Sequence, residues 1–197
     1  MQLRDVFQIS GALAMTENLI YRNLTRAEIS KFTQIDRSET IQRIYYVRNG
    51  DLVLEEEHHN VPDWGFAEKR NRIAELQEMY DKGATFFGAF DGHDLAGMAV
   101  LDHHFVHSGY KRLNLYGLWV SFNYRDGGIG HTLFQLAVKE SWNRGAEALC
   151  ISVTPSENTV RFYMNLGCRA AEPVDQYLFE KEPEDIHLEL VLIRRMK

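Results

Sequence analysis

The run Leu118-Trp119-Val120-Ser121-Phe122-Asn123-Tyr124-Arg125-Asp126-Gly127-Gly128-Ile129-Gly130 decides how this chain is read. Its apolar start reads as the end of a strand. The stretch from Gly128 to Arg144 reads as a helix, with Leu133, Leu136, Ala137 and Glu140 at helical spacing and Gly145 as its stop. The glycines at 127, 128 and 130 let the backbone approach a ligand and leave N–H groups pointing outward. A helix N-terminus adds unpaired donors and a partial positive charge. Together they make an anion site suited to phosphate. The same residues also fit a tight strand-to-helix turn with no ligand, and local chemistry leaves both readings open.

Two other phosphate sites are disfavoured. No Gly-Lys-Ser/Thr follows the glycines, so this is not a P-loop. A dinucleotide fingerprint would want a third glycine where Leu133 stands and an acid near Cys150 and Ile151.

Outward from this segment, Leu113–Val120 is a strand. Ala148–Val153 is a near-continuous apolar strand, which implies burial on both faces. Thr85–Phe90 and Leu95–Leu101 are strands joined at Asp91-Gly92. Ser156–Leu166 is a helix stopped by Gly167, and His187–Ile193 is a last strand. Upstream, Asn18–Asn23 reads as a strand. Thr25 with Glu28 forms a capping box for a helix that shows Ile29, Phe32 and Ile35 on one face. Ile44–Val47 and Leu52–Glu55 make a hairpin around Asn49-Gly50, Asn60–Trp64 is loop, and Glu68–Tyr80 is a helix ended by Gly83. The order predicts an α/β (α+β) fold, one domain over 18–197 after a leader of residues 1–17, with helices on a mostly antiparallel sheet.

The bulk numbers agree. With 197 residues, 45% hydrophobic and 25% charged, the chain is an ordinary globular protein with room for a full core. Its formal net charge of -6 argues against nucleic acid and towards cationic or neutral small partners. No run is long enough to cross a bilayer, and the first residues do not read as a signal peptide, so no membrane partner is expected. Cys150 and Cys168 form no metal or CxxC spacing and read as reduced thiols of a cytoplasmic protein.

The segment at 118–130 resembles motif A of the GNAT N-acetyltransferases, an Arg/Gln-x-x-Gly-x-Gly/Ala pattern after a Leu-x-Val strand. Arg125, Gly128 and Gly130 fill it in register, with Leu118 and Val120 on the strand. Asn158-Thr159-Val160-Arg161-Phe162-Tyr163-Met164-Asn165-Leu166-Gly167 is similar to the family's Asn…Phe-Tyr…Leu-Gly run. The pair at this spacing is specific, where either alone is weak. Two positions depart from the pattern: Gly127, where a basic or polar residue is usual, and Cys168, where an aromatic is usual.

The resemblance implies a central sheet splayed between Leu118–Val120 and Ala148–Val153, with acetyl-CoA as cosubstrate and an amine as acceptor. It places the diphosphate on amides of Arg125, Asp126, Gly127, Gly128, Ile129, Gly130 and His131. It lays pantetheine along Leu118, Trp119 and Val120, with Asn158 contacting it. An amide at or near Val120 would stabilise the oxyanion. Tyr163 would protonate the leaving thiolate; helix statistics alone would make it a core tyrosine. Family domains often pair, which adds a homodimer to the expectations. A non-catalytic acyl-CoA-binding or regulatory domain is the rival reading, because the strand Leu113–Val120 carries no acid. Candidate bases are Asp102, His103 and His104, or Glu55, Glu56, Glu57 and His58, or a bound water. His103, His104 and His107 invite a metal reading, but strand alternation should point His103 and His104 to opposite faces, and no metal site is expected.

Overall fold

A computed structural model describes residues 19–106 and 110–192. The expected leader 1–17, Asn18, His107 and Ile193 lie outside the described residues. Strands β1 (Leu19–Asn23), β4 (Thr85–Asp91), β5 (Asp94–Val106), β6 (Arg112–Val120), β7 (Ala148–Val153), β8 (Arg169–Ala170) and β9 (Ile186–Val191) form one sheet in the order β1-β4-β5-β6-β7-β9-β8. Every neighbouring pair is antiparallel except β6–β7, which makes the sheet mostly antiparallel, as expected. A separate two-stranded sheet joins β2 (Glu39–Arg48) to β3 (Asp51–Val61).

Each face of the main sheet has its own core. Helices α2 (Ile129–Asn143) and α3 (Glu157–Asn165) bring Leu133, Phe134, Ala137 and Val160 onto Leu101, Leu115, Leu149 and Ile151. On the opposite face, α1 (Phe66–Asp81) and the 3-10 helix Ala27–Gln34 set Leu76, Ile29 and Phe32 against Phe86, Met98 and Val100. Alternation along each strand makes this division, so Phe86 and Phe87 serve different cores. Each fully buried Leu or Phe contributes about 1.5–3 kcal/mol.

Three expectations need correction. The helix after Thr25 is 3-10, not α: Ile29, Phe32 and Ile35, all 0% exposed, recur every third residue, the period of that helix. The capping box is half formed. The Glu28 carboxylate accepts from the Thr25 amide at 2.9 Å, but the Thr25 hydroxyl donates to the same carboxylate instead of accepting. The hairpin is longer than its apolar centre suggests, and Asn60 and Val61, expected in a loop, end β3. Asn49 (φ 55) and Gly50 (φ 89) supply the left-handed pair that a two-residue hairpin turn needs. Two short elements gave no periodic signal, β8 and helix α4 (Gln176–Lys181), whose Leu178 packs on Cys150 and Val106. No helix among the described residues is long and apolar enough to cross a membrane.

Candidate active site

The site begins where β6 and β7 part. Their parallel ladder holds three pairs, Arg112↔Ala148, Leu113↔Leu149 and Asn114↔Cys150. A buried ion pair, Arg112 with Glu189, ties this closed end to β9 at 3.5 Å. Beyond Asn114 the strands diverge. Leu115 pairs with Leu101 and Gly117 with Val100, so Tyr116 is an extra residue, a bulge in β6. β7 keeps its pairing with β9 through Val153. Among the described residues, the stretch 115–120 therefore has no strand on its β7 side.

Hydrogen-bond phase decides which amides face that gap. The Ser121 amide donates to the Ala96 carbonyl of β5 at 2.9 Å. In an antiparallel strand the donors alternate, so Trp119 also faces β5 while Leu118 and Val120 turn their amides to the gap.

At the open end the chain makes one 3-10 turn, Phe122–Tyr124, and then the glycine turn. Asp126 (φ 63) and Gly128 (φ 79) are both left-handed, which swings the amides between them outward. Among the described residues, no protein acceptor meets the amides of Asp126, Gly127, Gly128, Ile129, Gly130 or His131. The first amide in use is Thr132, donating to the Gly128 carbonyl at 3.1 Å. Asp126, Gly127 and Gly128 are exposed, whereas Ile129 is buried and anchors the helix start in the core. A row of free donors at a helix N-terminus, at the mouth of a gap between strands, is an anion cradle.

Tyr163 comes from α3 and is 4% exposed, edge-on to Phe134 and Phe162 at 5.7 and 4.9 Å between ring centroids. Burial raises its phenol above the ordinary tyrosine value, so it stays protonated at neutral pH. Among the described residues its hydroxyl has no hydrogen-bond partner. Asn158 lies exposed in the first turn of α3, where Ser156 does the capping by accepting from the Thr159 amide.

The sequence model of the acetyltransferase (GNAT) family matches residues 45–168, both motif segments included. The chain belongs to the GNAT acetyltransferase family. No curated protein is similar enough in sequence to match it. Solved structures share its fold. Nourseothricin acetyltransferase is 21% identical over 88% of this chain and 98% of its own, with a TM-score of 0.64. A candidate streptothricin acetyltransferase of Bacillus anthracis str. Ames, in complex with acetyl coenzyme A, is 15% identical over 89% and 99%, with a TM-score of 0.66. The PaiA N-acetyltransferase of Thermoplasma acidophilum, in complex with coenzyme A, is 17% identical over 89% and 99%, with a TM-score of 0.57.

Two residues of this GNAT domain are placed differently from expectation. The Arg125 amide is already bonded to the Phe122 carbonyl at 3.3 Å, so the free donors start at Asp126. Its guanidinium is turned inward, donating to the carbonyls of Val120 at 3.1 Å, Ser38 at 2.8 Å and Asp36 at 3.5 Å. Trp119 sends neither amide nor ring to the gap. Its indole packs on Phe32 and Trp64, at 5.2 and 6.3 Å between ring centroids, in space that a side chain at Gly117 would occupy.

The chain from Asp36 to Tyr45 crosses the open end of the gap. Asp36 accepts from the Phe122 amide at 2.8 Å, and the Tyr45 amide donates to the Pro155 carbonyl at 2.8 Å. Arg43 reinforces the far side through Glu157 at 2.7 Å. β2 thus walls the site, and the candidate bases Glu55, Glu56, Glu57 and His58 sit on the other strand of the hairpin. There Glu57 bonds to Tyr46 and His59.

The alternation expected at Asp102–His104 fails. From Leu101↔Leu115 to Phe105↔Leu113, β5 advances four residues while β6 advances two. The surplus gathers both imidazoles on one Asp102 oxygen, His103 at 2.8 Å and His104 at 3.3 Å. The three donor atoms lie within 4.8 Å, beside the closed end of the ladder and away from the glycine turn.

Proposed function

We propose that this protein is an acetyl-CoA-dependent N-acetyltransferase that moves an acetyl group to a primary amine of a small molecule or peptide by direct attack. The observation that carries this reading is the row of unpaired amides from Asp126 to His131 at the mouth of the β6–β7 gap. The diphosphate rests on those amides, with the α2 macrodipole adding to the attraction. The pantetheine arm lies against β6 and bonds to the gap-facing groups of Leu118 and Val120, with Asn158 contacting it from α3. The thioester carbonyl accepts from a gap-facing amide at or near Val120, a fixed donor aimed where the oxyanion develops. Holding amine and thioester together supplies much of the rate.

Tyr163 gives its proton to the departing thiolate. Burial keeps that phenol protonated until the thiolate departs. The two buried thiols, Cys150 and Cys168, fit a reducing, cytoplasmic setting.

The test is incubation with acetyl-CoA and a panel of amines while free thiol is followed. Release with at least one amine is expected, and Tyr163→Phe should lower kcat by about 10²–10⁴ with CoA affinity unchanged. Measurable CoA binding with no thiol release from any amine would make the chain a binding module instead.

A further inference from the structure

On the α1 side of the sheet one group stands over the gap itself. Tyr116, the bulged residue of β6, lies where α1 and α4 meet: its hydroxyl donates to Glu75 of α1 at 2.7 Å, and the Lys181 ammonium of α4 lies 4.7 Å from its ring centre. Helix α1 covers the β5–β6 side and α4 the β7 side, so a residue touching both stands at the seam above the gap. Tyr116 is two residues from Leu118, whose amide faces the gap. Beside it a cleft of about 260 Å³ opens on α1, lined by Trp64, Glu68, Asn71, Arg72 and Glu75. Glu75 lines the cleft and accepts from Tyr116, and Arg72, also in the lining, donates to the same hydroxyl at 3.4 Å.

We propose that this cleft admits the amine and that Tyr116 and Glu75 take its proton. The assignment rests on the acetyltransferase reading above. An ammonium N–H donates to the Tyr116 oxygen. As that N–H bond breaks, the Tyr116 proton moves to the Glu75 carboxylate, leaving a neutral amine, an intact tyrosine and a carboxylic acid. Glu75, with 46% of its side chain exposed, passes the proton to water. The amine lone pair attacks the thioester carbon, the C–S bond breaks, and the thiolate takes the Tyr163 proton. The second proton on nitrogen leaves by the Tyr116–Glu75 route, and water reprotonates Tyr163. One proton is released per turnover.

Tyr116 acts as a relay rather than a base in its own right. Burial first, and then the bond to Glu75, raise its phenol above the ordinary value, and Glu182 adds to this while Arg72 opposes it. Lys181 and Arg72 also lie near the Glu75 carboxylate, at 3.9 and 4.0 Å.

The relay has a measurable size. An alkylamine with a pKa near that of lysine is unprotonated in about one part in 2,500 at pH 7, so a base contributes up to about 10³-fold there and little near pH 10. Tyr116→Phe and Glu75→Gln are compared with the wild type from pH 6 to 10, using the amine it acetylates fastest, with CoA affinity and melting temperature measured alongside. Each variant should lose about 10²–10³-fold in kcat/KM at pH 7 and recover as pH rises, with CoA affinity unchanged and the double variant no slower than the worse single one. Glu75 is on an exposed helix face, so its variant separates the relay from folding. Variants with the wild-type rate and pH profile, beside an active wild type, would overturn the relay alone. A wild type that binds CoA but acetylates no amine would overturn the transferase reading and the relay together.

Discussion

Replacing Arg125 with alanine removes the cation that fastens the 36–38 segment to the end of β6. Two bonds are well formed, to Val120 at 3.1 Å and Ser38 at 2.8 Å, and a third, to Asp36 at 3.5 Å, is at the limit of a hydrogen bond. Leaving a carbonyl without a charged donor costs about 1.5–3 kcal/mol when it is buried. Arg125 is only half-buried, so water replaces part of the loss, and about 2–4 kcal/mol in total is reasonable. In a domain of this size each kcal/mol moves the melting temperature by about 2–4 °C, which predicts a fall of about 4–16 °C with no ligand present. Calorimetric melting without CoA, beside CoA titration of wild type and variant, checks this. Lysine at 125 keeps the charge without the planar fork and should fall between them. A variant that melts like the wild type without CoA, yet binds CoA more than tenfold more weakly, would make Arg125 a phosphate ligand and refute the reasoning.

Other sites give further expected outcomes. Tyr163→Phe should leave the melting temperature unchanged or raise it while turnover falls, because the hydroxyl it removes has no partner among the described residues. Gly128→Ala puts a Cβ into open space but at φ 79. It should cost about 1–2 kcal/mol of strain and weaken CoA binding as the amides tilt, read by melting and titration. The Arg22 guanidinium, 2.6 Å away, holds the Glu28 carboxyl down at about 2. A depressed carboxyl stabilises above its unfolded value, near 4.3, and loses that contribution as pH falls towards 2. Glu28→Gln should therefore cost about 1 kcal/mol at pH 7, after solvent screening, and match the wild type near pH 2 in denaturant titrations.

Much of the site is legible in sequence because it is made of main chain. A glycine cluster between a strand and a helix fixes the direction of backbone donors almost regardless of neighbours, so the sequence marks a donor row over Arg125–His131, of which the amides of Asp126–His131 are unpaired among the described residues. Side-chain roles are harder. Arg125 fits the motif in register, yet its destination depends on Asp36 and Ser38, nearly ninety positions upstream, which no local pattern reveals. The bulges at Tyr116 and at Asp102–His104 break strict alternation, since surplus residues in a ladder leave no mark in apolar periodicity. Hence nothing in the local pattern sets Tyr116 apart from its strand neighbours. The 3-10 helix reads as α in sequence because three residues sampled at every third position fit both periods.

Among the described residues, the β2–β3 hairpin shares no strand pairing with the main sheet. It adjoins the β7–α3 corner through a few bonds from β2 and rejoins the chain at both ends of its arch. Such a wall is modular: its tip at Asn49-Gly50 can be trimmed, extended or exchanged with little consequence for the catalytic frame. Under the proposed acetyltransferase function, selectivity among amines can then diverge between relatives while the main sheet stays put, and swapping this arm between GNAT domains is the direct test of that division.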